Sequence, residues 1–150
     1  MFNEIRKEDY IYLLKHLSKL IDQDFDRRLS EYGLTCQQGR ILFFVNRKSV
    51  IENKEVHQND IEQEFHLSKS TVSGLVKRME KKEIIIVKKV PPYAILEPSK
   101  KGKDIIIHLK KNKEDVIEMI LHNIKKEDRT KLQNMLLTMI DNLGKERNYD

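Results

Sequence analysis

The stretch 66–82, HLSKSTVSGLVKRMEKK, constrains this chain more than any other part of it. Val72, Leu75, Val76 and Met79 recur at i, i+3, i+4 and i+7, the period of a helix with one buried face. Ser68 stands just ahead of them as an N-cap, its oxygen placed to accept from the free amides of the first turn. The opposite face is Lys69, Ser70, Ser73, Gly74, Lys77 and Lys81. It is small and hydroxylated at its start and basic at its end.

The neighbours narrow the choice of fold. Residues 58–65 carry Ile61 and Phe65 as the inward side of a short helix, and His66-Leu67 leaves room only for a tight turn. That order makes a helix-turn-helix. Immediately after it, 84–88 is β-branched and reads as a strand, Pro91-Pro92 forces a turn, and 93–97 reads as the returning strand. A hairpin in that place is a wing, so the fold expected is mainly α with a small β-hairpin: a winged helix-turn-helix.

The flanks are helical. From about Glu8 to Tyr32, Ile11, Leu14, Leu17, Ile21, Phe25 and Leu29 recur at helical steps, and Gly33 is placed to end the run. Thr35-Cys36-Gln37-Gln38 is a capping-box pattern ahead of Ile41, Leu42 and Val45. The polar span 46–55 reads as a loop. Ser99 is placed to cap a long helix carrying Ile105, Ile106, Leu109, Val116, Ile117, Ile120 and Leu121. A last helix carries Leu132, Met135, Leu136, Met139, Ile140 and Leu143, with Gly144 just past its end. The expected organisation is one compact domain in three parts: an N-terminal helix over 1–33, the winged helix-turn-helix over 34–98, and two C-terminal helices over 99–150.

Charge is unevenly placed. The chain has a net charge of +5, yet 68–89 alone holds seven basic side chains and two acidic ones. The preceding segment, 50–67, holds one lysine against five acids. A local positive patch suits an anionic partner. One cysteine, Cys36, excludes an internal disulfide and suits a reducing compartment. The N-terminus lacks the apolar stretch of a secretory signal, and no apolar run approaches the length of a bilayer span. A cytoplasmic location is expected.

The recognition-type helix fits duplex DNA. Small hydroxyls at a helix N-terminus allow close approach to a groove, and the helix end favours an anion. Ser68, Ser70, Thr71 and Ser73 are the candidates for base and phosphate contact. Lys69, Lys77, Arg78, Lys88 and Lys89 are the candidates for the electrostatic grip, with Lys81 and Lys82 further along. The plainer reading is a capped surface helix with a solvated basic face.

Leu34-Thr35-Cys36-Gln37-Gln38-Gly39-Arg40-Ile41-Leu42 and Leu67-Ser68-Lys69-Ser70-Thr71-Val72-Ser73-Gly74-Leu75-Val76-Lys77-Arg78-Met79-Glu80-Lys81-Lys82 resemble the helix-2 opening and the recognition helix of the MarR family of transcriptional regulators. Pro98-Ser99-Lys100-Lys101-Gly102 resembles the family's segment after the wing. The resemblance implies a homodimer held by the first and last two helices, and an inverted-repeat operator read by two winged helices. It also implies repression relieved by a small ligand, an oxidant or a metal, depending on the member. Four positions depart from the pattern. The wing, VKKVPPYAILEP, lacks the usual Asp-x-Arg; Gly74 replaces a longer side chain; Glu83 replaces a glycine; Glu62 replaces a small residue.

The family's ligands sit where the dimerisation helices meet the winged helix, which makes Tyr10, Leu14, Leu17 and Phe43 the candidates for a small-molecule effector. Cys36, in the first turn of a helix whose amides favour a thiolate, is a redox candidate; an incidental thiol is the ordinary alternative. The five histidines show no ligand spacing, and His108 and His122 lie about 21 Å apart if one helix carries both. No metal or cofactor is expected. There is no G-x-S-x-G, no phosphate loop and no acid pair in a Gly-rich setting, so an enzyme is not expected. A rival function keeps the fold as a dimeric protein-interaction module, using the acidic 50–67 face, or as a weakly specific DNA binder.

Overall fold

In the computed structural model, which describes residues 9–146, the order is α1 (Tyr10–Ser30), α2 (Cys36–Asn46), α3 (Gln58–Phe65), α4 (Lys69–Lys81), β1 (Ile85–Val90), β2 (Tyr93–Pro98), α5 (Lys100–Ile120) and α6 (Lys126–Glu146). Glu8, expected to open the first helix, lies outside the described residues. The chain divides into two compact units, and the division falls inside α5, between Lys110 and Lys111.

In the first unit, the helix ends follow the local chemistry. Thr35 and Gln38 form the capping box of α2: the Gln38 amide donates to Thr35 Oγ1 at 3.2 Å, and the Thr35 amide donates to Gln38 Oε1 at 3.2 Å. The C-termini of α1, α3 and α4 close in the same way, each on a left-handed residue: Gly33 (φ 70°), His66 (φ 52°) and Glu83 (φ 60°). In each case the next amide reaches back to the carbonyl five residues earlier, as in Leu34 to Leu29, Leu67 to Glu62 and Ile84 to Met79, all at 3.1 Å. Glycine adopts that conformation freely; His66 and Glu83 do so at some cost.

Leu29, Ile41, Leu42, Val45, Ile61, Val72, Val76, Met79, Ile84 and Leu96 form one buried cluster under the helix-turn-helix and the hairpin. The Phe44 and Phe65 rings meet edge-on at 5.7 Å between centroids, joining α2 to α3. The two strands are antiparallel, with Val90 opposite Tyr93 and Ile85 opposite Pro98. Ser99 ties this hairpin to α5. Its hydroxyl lies 2.6 Å from the Glu83 carbonyl and 2.9 Å from that of Ile84, while the Gly102 amide donates to it at 3.0 Å.

The span 46–55 is not simply a loop. Arg47–Ile51 continues α2 as a π-helical turn. The Ser49 hydroxyl donates to the Val45 carbonyl at 2.7 Å, Lys48 pairs with Glu52 at 3.1 Å, and the Arg47 guanidinium lies 5.7 Å from the Phe44 ring. Past this turn Val56 is buried, and its carbonyl accepts from the Leu96 amide at 2.8 Å, tying this segment to β2.

In the second unit, the turn from α5 to α6 is held by Arg129, which donates to the Ile124 carbonyl at 3.0 Å and the Leu121 carbonyl at 3.2 Å and pairs with Glu118 at 3.1 Å. The helix α5 stops at Ile120, so His122 stands in this turn and not on one helix with His108. Gly144 does not end the last helix: α6 runs through it to Glu146, and no left-handed cap forms there.

Candidate nucleic-acid interface

The helix α4 is set by its two ends. At the first, the Thr71 amide donates to Ser68 Oγ at 3.2 Å, and Ser68 Oγ also lies 2.8 Å from Thr71 Oγ1 and 3.2 Å from Ser70 Oγ. The three hydroxyls are thus linked, their residues exposed, and each keeps capacity for a further partner. No acid occupies this first turn, so the positive end of the helix faces solvent uncompensated. At the other end, Lys82 does not join the basic face. Its ammonium donates to the Gly33 carbonyl and, at 3.0 Å, to Gln38 Oε1, stapling the end of α4 to the α1–α2 corner. Its place is structural, whereas charge counting alone puts it with the lysines expected to face phosphate.

Between these ends Val72, Leu75, Val76 and Met79 are buried, as the periodicity predicts, and Lys69, Ser70, Thr71, Lys77, Arg78 and Lys81 are exposed. Ser73 and Gly74 are half-buried. Arg78 explains part of this. A Cβ added at Gly74 would stand 3.4 Å from an Arg78 guanidinium nitrogen, so that group lies back over the glycine. The absence of a long side chain at 74 leaves the surface that Arg78 occupies. Arg78 also borders an open hollow lined by Asp26, Leu34, Thr35, Cys36, Gln37, Gln38 and Leu75.

The wing carries less free charge than its sequence suggests. Lys88 pairs across the strands with Glu97 at 2.9 Å, while Lys89 makes no ion pair among the described residues. Its tip is apolar: Val90 is 53% and Tyr93 64% exposed, beside exposed Pro91 and Pro92. The acidic 50–67 face is likewise partly neutralised. Glu52 contacts Lys48, Lys54 and Arg47, and Glu64 lies 3.9 Å from Arg47. Hydrogen bonding to Lys48 holds the Glu52 carboxyl below the usual range. Glu62 is half-buried in α3.

The remaining candidates fall apart from this face. Tyr10, Leu14 and Leu17 are exposed on α1, whereas Phe43 is half-buried and packs on Phe25, 6.4 Å between ring centroids. Cys36 is half-buried in the hollow, and burial first, with a hydrogen bond to Asp26 second, pushes its thiol up, against the favour that the helix N-terminus offers a thiolate. No group of three His, Cys, Asp or Glu side chains among the described residues is arranged to hold a metal ion, and no described helix is long and apolar enough to cross a membrane.

Two features of this geometry lay beyond the sequence reading: the inward turn of Lys82 and the Val56 bridge that seats the wing. Only the isolated apolar Val56 in a polar span hints at the second.

The MarR family model matches residues 32–92, from the end of α1 to the wing tip. Among solved structures the chain is similar to MepR, a transcription regulator of the Staphylococcus aureus multidrug efflux pump MepA, at 20% identity and a TM-score of 0.79 over 89% of this chain and 98% of that one. It is similar to the transcription regulator MarR from Oenococcus oeni PSU-1 at 29% identity and a TM-score of 0.61, over 89% and 99%. A complex of S. aureus MepR with DNA matches at 19% identity and a TM-score of 0.69, over 93% and 99%. Curated protein sequences give no match. Residues 32–92 thus match the MarR family model, and the chain around them has the fold of the winged-helix regulators to which it is similar.

Proposed function

We propose that this chain is a homodimeric, sequence-specific DNA-binding regulator of transcription, acting as a repressor that a small ligand or other signal relieves. Members of the family are transcription regulators rather than enzymes. The observation that carries the reading is the outer face of α4: a Ser68-capped N-terminus with linked, exposed hydroxyls, followed by Lys69, Lys77 and Lys81, none of which is paired among the described residues. Such a surface gives a groove both hydrogen-bonding groups at close range and uncommitted cations for phosphate. The crystal structure of MepR with DNA supports the same use of the fold here.

The dimer reading rests on apolar surface that the single chain leaves uncovered. On α1, Ile11 is 70%, Leu17 43% and Leu20 48% exposed. On α6, Leu137 is 52% and Ile140 64% exposed. Exposed apolar faces of this extent mark contact with another chain, and a second copy satisfies them by symmetry. Two winged helices related by a two-fold axis read an inverted repeat, with half-site centres about one helical turn (~10 bp) or a little more apart. A signal that altered their separation would release the operator.

The test is the salt dependence of affinity for duplex DNA. Steep weakening with salt is expected, because displaced counterions accompany every phosphate contact. Lys77→Ala is expected to weaken binding to all sequences and reduce the log–log slope by about one. Absence of binding at low salt would overturn the reading.

A further inference from the structure

Opposite the buried stripe of Val72, Leu75, Val76 and Met79, the residues Ser70, Gly74, Lys77 and Lys81 follow one another at helical steps and form the centre line of the outer face of α4. Gly74, within the first two turns, contributes no side chain to that line. A glycine inside a helix weakens it. Here it leaves bare backbone at the level of α4 that enters furthest when a helix docks N-terminus first into a major groove. The bare patch is nevertheless occupied. Outside the helix backbone, the three heavy atoms nearest to a Cβ built at Gly74 all belong to the Arg78 guanidinium: Nη1 at 3.4 Å, Cζ at 3.9 Å and Nη2 at 3.9 Å. Distances so similar mean that the planar group lies over the glycine as a whole.

The direction of the side chain follows from helix geometry. Side chains on a helix lean toward its N-terminus, so a long residue covers the surface four positions before it. Arg78 leaves the backbone on the flank of the outer face, and its length carries the charge about one turn back, onto the centre line. No partner holds the group anywhere else. Arg78 is exposed, and its side chain makes no hydrogen bond or ion pair among the described residues, although Asp26 lines the hollow that Arg78 also borders. Its N–H donors stay uncommitted at the middle of the face.

The lysines of this face offer a different chemistry. The ammonium groups of Lys77 and Lys81 are point charges, suited to phosphate. A guanidinium is a flat fork whose paired N–H groups match O6 and N7 of guanine in the major groove. We propose that Arg78 is a specificity-determining residue that reads one guanine in each half-site across the bare surface of Gly74, and is not one more phosphate contact. The assignment rests on the DNA-binding function proposed above and names a base that this interface reads.

The experiment uses the full chain and duplexes recovered by in-vitro selection. The wild type is expected to fix a guanine at one position of each half-site. Changing that guanine to adenine should weaken binding about 5- to 150-fold, the discrimination of one bidentate pair. Replacing it with 7-deazaguanine, which lacks the N7 acceptor, should weaken binding as well. Both penalties should nearly vanish in Arg78→Ala. Arg78→Lys keeps the charge but not the fork: it should bind random-sequence duplex as the wild type does and lose the preference at that position. Its retained affinity for random duplex also shows that α4 is intact. The same guanine selected by Arg78→Lys, or a 7-deazaguanine penalty undiminished in Arg78→Ala, would overturn the proposal and leave the DNA reading standing. So would an equal loss of affinity for all duplexes in Arg78→Lys, which would put the fork on phosphate or in the support of the helix. A wild type that selects no sequence, or binds no duplex, would remove the DNA reading and this assignment together.

Discussion

The Lys82 ammonium donates to Gln38 Oε1 at 3.0 Å, from the C-cap of α4 to the capping box of α2. It bonds the Gly33 carbonyl as well, at the left-handed end of α1. One side chain thereby fixes the angle at which α4 leaves the body of the winged helix. Lys82→Met should cost about 1–2 kcal/mol of stability, because two acceptors lose a charged donor. It should leave the salt slope of DNA binding unchanged, in contrast to Lys77→Ala. Chemical denaturation with a salt series separates the two, and a reduced slope in Lys82→Met would place this ammonium on phosphate instead.

Gly102 is required by close approach. A Cβ there would collide with the Ile84 carbonyl oxygen, which already accepts from the Ser99 hydroxyl and amide. That oxygen is backbone and cannot swing away. Gly102→Ala should therefore destabilise by about 1–3 kcal/mol, the usual range for overpacking. A thermal midpoint equal to the wild type's would show that α5 can shift freely against the wing.

Glu83 sits at φ 60°, where the backbone of a residue with a Cβ is strained, and closes α4 in the same motif that Gly33 supplies for α1. Glu83→Gly relieves that strain while adding freedom to the unfolded chain, so the net expectation is a gain of up to about 1 kcal/mol. Loss of stability in this variant would mean that the Glu83 side chain itself supports the corner.

Asp24 lies between Arg27, at 2.6 Å, and Arg28, at 2.8 Å, on α1. The Arg28 hydrogen bond is the main cause that holds its carboxyl below the usual range; burial opposes it, and Arg27 adds to the lowering. A lowered value in the folded chain means stability that is complete above the unfolded aspartate value of about 3.9 and lost as pH falls through the folded one. The difference in stability between wild type and Asp24→Asn should accordingly shrink on acidification below about pH 4. A difference that stays constant there would remove the ion pair as its source.

The parts of this fold that depend on local chemistry could be read in the sequence. The stripe of Val72, Leu75, Val76 and Met79, the Ser68 cap, the Thr35–Gln38 box and the hairpin about Pro91-Pro92 each express a short-range rule, and the structure realises them. What escaped depends on partners distant in the chain. Lys82 reaches Gln38 44 positions away, and Val56 meets Leu96 across most of the helix-turn-helix. Lys88 finds Glu97 only because the strands register. The π-helical turn at Arg47–Ile51 was hidden for another reason. Its first three residues are polar, Val50 and Ile51 are exposed, and the ion pairs with Glu52 and the Phe44 ring that support it have no periodic signature.

The claim that two copies of α4 read two half-sites is tested most directly by in-vitro selection of duplex DNA from a random pool, with the purified protein at roughly physiological salt. Recovery of an inverted repeat with half-site centres about one helical turn, ~10 bp, or a little more apart is the result predicted. Enrichment of no sequence, or only of A·T-rich tracts, would contradict it, leaving the exposed hydroxyls at Ser68, Ser70 and Thr71 without a sequence to read.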